Sequence, residues 1–94
     1  MKRRVAVTGL GVVSPVGIGL KTFWSNLVAG KSGITNITSF DTTDFPVKIA
    51  GEVKDFNASD FIADRKAVRH MDRDSQFALA AAIMAGEDSG LDIS

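Results

Sequence analysis

Phe77 to Ala85 is an unbroken run of nine apolar residues, five of them alanine. Asp72 and Asp74 precede it, where negative charge favours a helix N-terminus, and Gly90 follows as a stop. The run therefore reads as a helix that is apolar on every side, and such a helix is buried against more than one neighbour. Little else in the chain is able to enclose it. The 94 residues set a prior of one domain or less, and a chain of that length buries only a modest share of its surface. With no internal repeat, low-complexity tract or linker-like boundary, the sequence reads as one continuous α/β domain, a part of a larger layered fold.

The other elements follow from local chemistry. Residues 3–10 are rich in β-branched side chains and run into Gly9-Leu10-Gly11, which predicts a buried strand and a turn. Pro15 pushes Ser14 away from helical geometry, so the next helix is placed at about Leu20 to Ala29. There Phe23, Trp24, Leu27 and Val28 supply an apolar stripe and Gly30 a stop. Residues 31–46 carry loop chemistry, and a loop that long is usually functional or tied down by other parts of the protein. Val47 to Val53 alternates apolar and polar residues around Gly51 and predicts a strand. Asn57 or Ser59 is placed to cap a short turn, and a basic helical stretch follows from about Arg65 to Met71.

Composition excludes several functions. The 11 basic and 11 acidic residues cancel, which argues against a nucleic-acid-binding domain. There is no cysteine, hence no disulfide, thiolate metal site or thiol nucleophile. Lys2-Arg3-Arg4 before an apolar stretch imitates a secretory signal, but Thr8, Gly9 and Gly11 interrupt the stretch and no small-x-small site follows. No run approaches the length of a membrane span. A soluble, cytoplasmic chain is the expectation.

Three constellations carry possible chemistry. Gly9-Leu10-Gly11-Val12-Val13-Ser14 after a strand imitates a dinucleotide fingerprint, yet Ser14 replaces the third glycine and Pro15 disrupts the helix start. Residues 29–33 hold no acid for a ribose, so a tight turn needing positive φ or close backbone packing is favoured. The second constellation is charge sorted along a neutral chain. Six acids lie between Asp41 and Asp64, while Arg65, Lys66, Arg69 and Arg73 follow with only Asp72 against them. On one helix Lys66 and Arg69 are i, i+3 neighbours, and Arg65, Arg69 and Arg73 form an i, i+4, i+8 row. Such a row steers acidic partners; it is also what a solvated face, or pairing with Asp60 and Asp64, looks like. The third is His70, the single histidine, which lacks companions for a metal site and a nucleophile to activate. It reads as a surface or interface residue and no role is assigned to it.

Several segments together carry a family resemblance. They are Val7-Thr8-Gly9-Leu10-Gly11-Val12-Val13-Ser14-Pro15-Val16-Gly17, Leu27-Val28-Ala29-Gly30-Lys31-Ser32-Gly33-Ile34, Phe40-Asp41-Thr42 and Val47 to Val53. Arg69-His70-Met71-Asp72-Arg73, Ser75 to Ala81 and Glu87-Asp88-Ser89-Gly90-Leu91 complete the set. In this order and spacing the chain resembles the amino-terminal region of the β-ketoacyl-acyl carrier protein synthase II family. Modular polyketide ketosynthases and chain-length factors share that family's fold and are expected to be more distant.

The resemblance implies that residues 1–94 are the N-terminal portion of a β-ketoacyl synthase N-terminal domain. The implied fold is a thiolase-like layered α-β-α-β-α arrangement, incomplete in this chain, in a homodimer of much longer subunits. It further implies decarboxylative condensation of an acyl group, held on a cysteine assisted by two histidines, with malonyl-acyl carrier protein. No cofactor and no metal are expected. None of those three catalytic residues matches a position here, so the 94-residue chain is expected to be inactive. The positions matching the family's basic docking residues for acyl carrier protein are Lys66 and Arg69, and His70 stands where relatives often carry Lys or Arg. Asp74, Gly86 and Ile18 depart from the family's pattern. Two other readings stay open: a truncated product that keeps only carrier-protein binding, and a segment of a polyketide-type ketosynthase.

Overall fold

The computed structural model describes residues 2–92, with the element order α1 (Leu20–Val28), β1 (Ile34–Asn36), β2 (Ile49–Gly51), a 3-10 turn (Ala58–Asp60), α2 (Arg65–Arg69) and α3 (Arg73–Ser89). These residues form two compact units: residues 13–56, and residues 2–12 together with 57–92.

In residues 13–56 the chain doubles back at Pro15-Val16. Ser14 and Gly17 exchange backbone hydrogen bonds of 3.1 and 3.2 Å, and Val13 bridges Ile18 in antiparallel fashion. Pro15 supplies the fixed φ that this turn needs at its second position. The Ser14 hydroxyl accepts from the Val16 and Gly17 amides, and the Asn26 side chain of α1 donates to the Val16 carbonyl at 2.7 Å. Helix α1 ends as its sequence predicts. Gly30 adopts φ 73, and the amides of Gly30 and Lys31 return to the carbonyls of Leu27 and Asn26. Its apolar stripe is largely open, with Trp24, Leu27 and Val28 all exposed.

The stretch 31–46, expected to be loop throughout, contains β1. It pairs antiparallel with β2 in the register Ile34↔Gly51, Thr35↔Ala50, Asn36↔Ile49. The ladder is shorter than the strand predicted over 47–53, running only from Ile49 to Gly51. The predicted tethering is present: the Glu52 carboxylate accepts from the amides of Thr38 and Ser39 at 2.9 and 3.0 Å, and from Lys54 Nζ at 3.0 Å. The loop tip is closed by Asp41, which accepts from the Thr43 amide and hydroxyl, and by a T-shaped Phe40–Phe45 pair at 5.5 Å.

In the other unit α3 is the organising element. Asp72 is its N-cap, accepting from the Ser75 amide at 2.7 Å, and Gly90 ends it at φ 71. Gly86 lies within the helix without interrupting it. As expected of a chain with little to enclose this helix, Ala80 is fully buried, whereas Ala78, Leu79 and Ala82 are exposed. A correction concerns residues 3–10, which form no strand among the described residues; Val5 and Val7 are 93% and 79% exposed. A strand exists only through the hydrogen bonds of a neighbour, so β-branched composition cannot create one alone.

Candidate functional site

Helix α2 is short and its geometry is set by capping. Asp64 precedes it in extended conformation and its carboxylate accepts from the amides of Lys66 and Ala67 at 3.0 and 3.2 Å. One turn earlier Asn57 caps the 3-10 turn, accepting from the amide and hydroxyl of Ser59. Ala58 and Ile62 are buried beneath, and both α2 and α3 pack on this turn. Helix α2 packs over these residues, and its cations Arg65, Lys66 and Arg69 are exposed.

Lys66 and Arg69, the two residues expected to dock a partner, fall on the same face of α2, and both are exposed. Among the described residues neither takes part in a salt bridge, and Arg65 does not either. Pairing with Asp60 or Asp64, one of the two bland readings of this charge, is absent; Asp64 spends its carboxylate on the helix cap. The extended Arg65–Arg69–Arg73 row is corrected. Helix α2 closes at Arg69 with His70 as its C-cap, and Arg73 opens α3, its guanidinium lying 4.9 Å from the centre of the Phe77 ring. The break is forced by Asp72, which cannot cap α3 without leaving helical geometry. Arg65, Arg69, Val68 and Ser59 line an open cleft of about 250 Å³. Ser59 and Val68 were not singled out by charge patterning; the Asn57-x-Ser59 cap was the only local signal for this wall.

The glycine turn does different work. Neither Gly9 nor Gly11 has positive φ. Instead a Cβ on Gly9 would overlap the Ala85 carbonyl oxygen, and one on Gly11 would overlap that of Ala81. The backbone of residues 9–11 lies directly against α3, on the small-residue ridge Ala81, Ala85, Ser89. The Leu10 amide donates to Asp88 Oδ2 at 2.9 Å. Of the two structural needs considered for these glycines, close backbone approach is the operative one. The space a pyrophosphate would need is filled by helix.

A second open cleft, of about 300 Å³, lies within residues 13–56, between Ser14–Ile18, Thr22, Asn26, Lys54 and Asp55. Three of its polar side chains are engaged: Ser14 with Val16 and Gly17, Asn26 with Val16, and Lys54 with Glu52 and Thr38. No cluster of three or more His, Asp or Glu side chains suited to a metal occurs among the described residues.

Comparison with solved structures defines the class as that of ketosynthases. The chain superposes on the ishigamide ketosynthase/chain length factor with a TM-score of 0.89 and 42% identity, covering 98% of this chain and 23% of that one. It also superposes, with a TM-score of 0.69 and 37% identity over 99% of this chain and 20% of that one, on a ketosynthase structure. That structure is a type II polyketide synthase acyl-carrier protein in complex with its ketosynthase bound to the hexaketide. Residues 2–94 match the family described as beta-ketoacyl synthase, N-terminal domain, and the chain belongs to that family. Among curated relatives, it is 51% identical over 92 residues to 3-oxoacyl-(acyl-carrier-protein) synthase 2 of Coxiella burnetii and 49% identical to that of Vibrio cholerae. In both cases 98% of this chain is aligned, and it spans 22% of the relative's length.

Proposed function

We propose that this chain is the N-terminal segment of an elongating 3-oxoacyl-(acyl-carrier-protein) synthase 2. The observation that carries the proposal is identity near one half, sustained over almost every residue, to enzymes of that name. In this reading the intact protein transfers an acyl group to a cysteine thiol, releasing the carrier thiol. It then joins that acyl group to malonyl-acyl carrier protein as carbon dioxide leaves and the cysteine thiol is freed. Residues 1–94 form the N-terminal portion of the synthase domain within a thiolase-like layered fold. Homodimer assembly and a cytoplasmic location belong to the same proposal, as does independence from any cofactor. Exposed apolar residues such as Val5, Val7 and Trp24 become interior positions of the complete subunit. That reading accounts for an alanine-rich helix with open faces.

The chain has no cysteine, so the thiol chemistry is supplied from outside it. Its own contribution is recognition: Lys66 and Arg69, exposed on α2 and without salt bridges among the described residues, dock acyl carrier protein through its acidic surface. Mobile surface pairs contribute little to stability. Charges held outward at a packed site accelerate encounter with a partner of opposite sign. Titration of an acyl carrier protein into the chain should show salt-sensitive binding that is lost in the double variant Lys66→Glu/Arg69→Glu. Equal binding by that variant would remove the docking assignment. Carbon–carbon bond formation by the chain alone would refute its assignment as a non-catalytic segment.

A polyketide-type ketosynthase segment is the second reading, favoured by the class of the two solved neighbours. Their identities of 42% and 37% stand below the 51% and 49% of the fatty-acid-type relatives, so the first reading is preferred.

A further inference from the structure

We propose that Ser59 is a phosphorylation site, and that a phosphate ester there is gripped by Arg65 and Arg69, fastening α2 to the 3-10 turn before it. Ser59 is exposed at the middle of that turn, and Ser59, Arg65, Val68 and Arg69 line the same open cleft of about 250 Å³. The two arginines stand one turn apart on α2, at i and i+4, and both are exposed. Among the described residues neither guanidinium forms a hydrogen bond, a salt bridge or a ring contact. Like charges at that spacing repel, and an anion between them reverses the sign of the interaction.

As a hydroxyl, Ser59 is committed to its own turn. Its Oγ donates to Asn57 Oδ1 at 2.9 Å, beside the bond of 3.1 Å from the Ser59 amide to the same oxygen. Esterification removes the hydroxyl proton and with it the first bond, while the amide bond keeps Asn57 as the cap. In exchange it brings a charge of about −1.5 to −2 and three strong acceptor oxygens, which suit guanidinium forks. The opposing charges nearby are Asp60, the next residue, and Asp64, whose carboxylate is occupied by the Lys66 and Ala67 amides. Lys66 adds a further cation on the same short helix.

The phosphoryl donor is a nucleoside triphosphate held by a separate protein kinase. Ser59 Oγ attacks the terminal phosphorus, and the new O–P bond forms as the bond from that phosphorus to its bridging oxygen breaks. The nucleoside diphosphate leaves, and the hydroxyl proton passes to a base of the kinase. Because the clamp engages Arg65 and Arg69, it also opposes docking of an acidic partner. That consequence rests on the function proposed above; the clamp itself does not.

Phosphopeptide mass spectrometry of the protein isolated from its own cells, with phosphatases inhibited, should find phosphate on Ser59. Its absence there in both growing and starved cells, or phosphate only on other hydroxyls, overturns the assignment. The clamp is tested on the chain made with phosphoserine in place of Ser59. Its phosphorus NMR resonance should titrate at lower pH than in the same phosphorylated chain carrying Arg65→Gln and Arg69→Gln, because guanidinium groups favour the dianion. Hydrogen exchange in residues 65–69 should slow about threefold or more on phosphorylation, and should not slow in the double variant. Equal midpoints in the two chains, or exchange that phosphorylation leaves unchanged, overturn the clamp. No carrier protein enters these measurements, so the docking reading stands or falls separately, on the Lys66→Glu/Arg69→Glu titration.

Discussion

The Gln76 side chain, near the start of α3, reaches back across the helix break and donates to the Val68 carbonyl of α2 at 3.3 Å. The same nitrogen lies 3.3 Å from the Met71 carbonyl. Val68 lies in the last turn of α2, where its carbonyl also accepts from the Met71 amide at 3.2 Å, and Met71 follows just beyond the helix. One amide thus holds the end of the cationic helix against the long one.

Replacing Gln76 by Ala should lower stability by about 1 kcal/mol, through loss of the hydrogen bonds that its amide donates across the helix break. Hydrogen exchange should quicken in residues 65–71 more than elsewhere. Denaturant unfolding and exchange mass spectrometry check the two effects, and uniform exchange across the chain would contradict this local role.

Gly11→Ala should be the more damaging change. The added methyl would collide with backbone, which cannot rotate away as a side chain does. Overpacking of this kind costs about 1–3 kcal/mol or more. Thermal unfolding of Gly9→Ala and Gly11→Ala should show both variants destabilised. NAD and ATP should leave the wild-type melting temperature unchanged, since α3 occupies the space a dinucleotide fingerprint would offer to a phosphate.

Glu52 ties a pH dependence to the hairpin loop. Hydrogen bonds from Ser39, then from the Thr38 amide and Lys54, hold its carboxyl well below the usual carboxylate range. A depressed value means that the unfolded chain takes up the proton first. The stabilisation is therefore complete above the ordinary glutamate range, about 4.3, and is lost as pH falls from there towards the folded value. Melting temperatures measured from pH 6 down to pH 3 should fall less steeply in Glu52→Gln than in wild type. Equal slopes would mean that another group governs acid unfolding.

Asp64 caps α2, and Asp64→Ala should remove about 1 kcal/mol through loss of that cap, while Asp64→Asn should restore most of it. The Lys66 and Arg69 substitutions, by contrast, should leave stability almost unchanged, because those side chains are exposed and form no salt bridge among the described residues. Denaturant midpoints for the four variants separate the residue that builds the face from those that use it.

Helix ends were legible because capping is local chemistry. Asp72, Asn57, Gly30 and Gly90 each act within a few residues of themselves, and each stands where the sequence places it. The elements that misled were those whose state depends on distant residues. Ile34–Asn36 is hidden in a polar loop and becomes a strand only because Ile49–Gly51 meets it. Residues 3–10 carry strand composition and find no ladder. The basic row looked continuous because sequence spacing carries no mark of where α2 ends and α3 begins.

By itself, then, the sequence determined the glycine stops of α1 and α3, the absence of a thiol, the family resemblance and the two cations at 66 and 69. These rest on residue chemistry and on contacts within a turn or two. Tertiary structure alone decided that Gly9 and Gly11 serve close approach to a helix rather than a positive φ, that Asp64 is spent on a cap, and that Arg73 leaves the cationic face. Each of those outcomes depends on which groups a folded chain brings within a few ångströms, which spacing along the sequence does not specify.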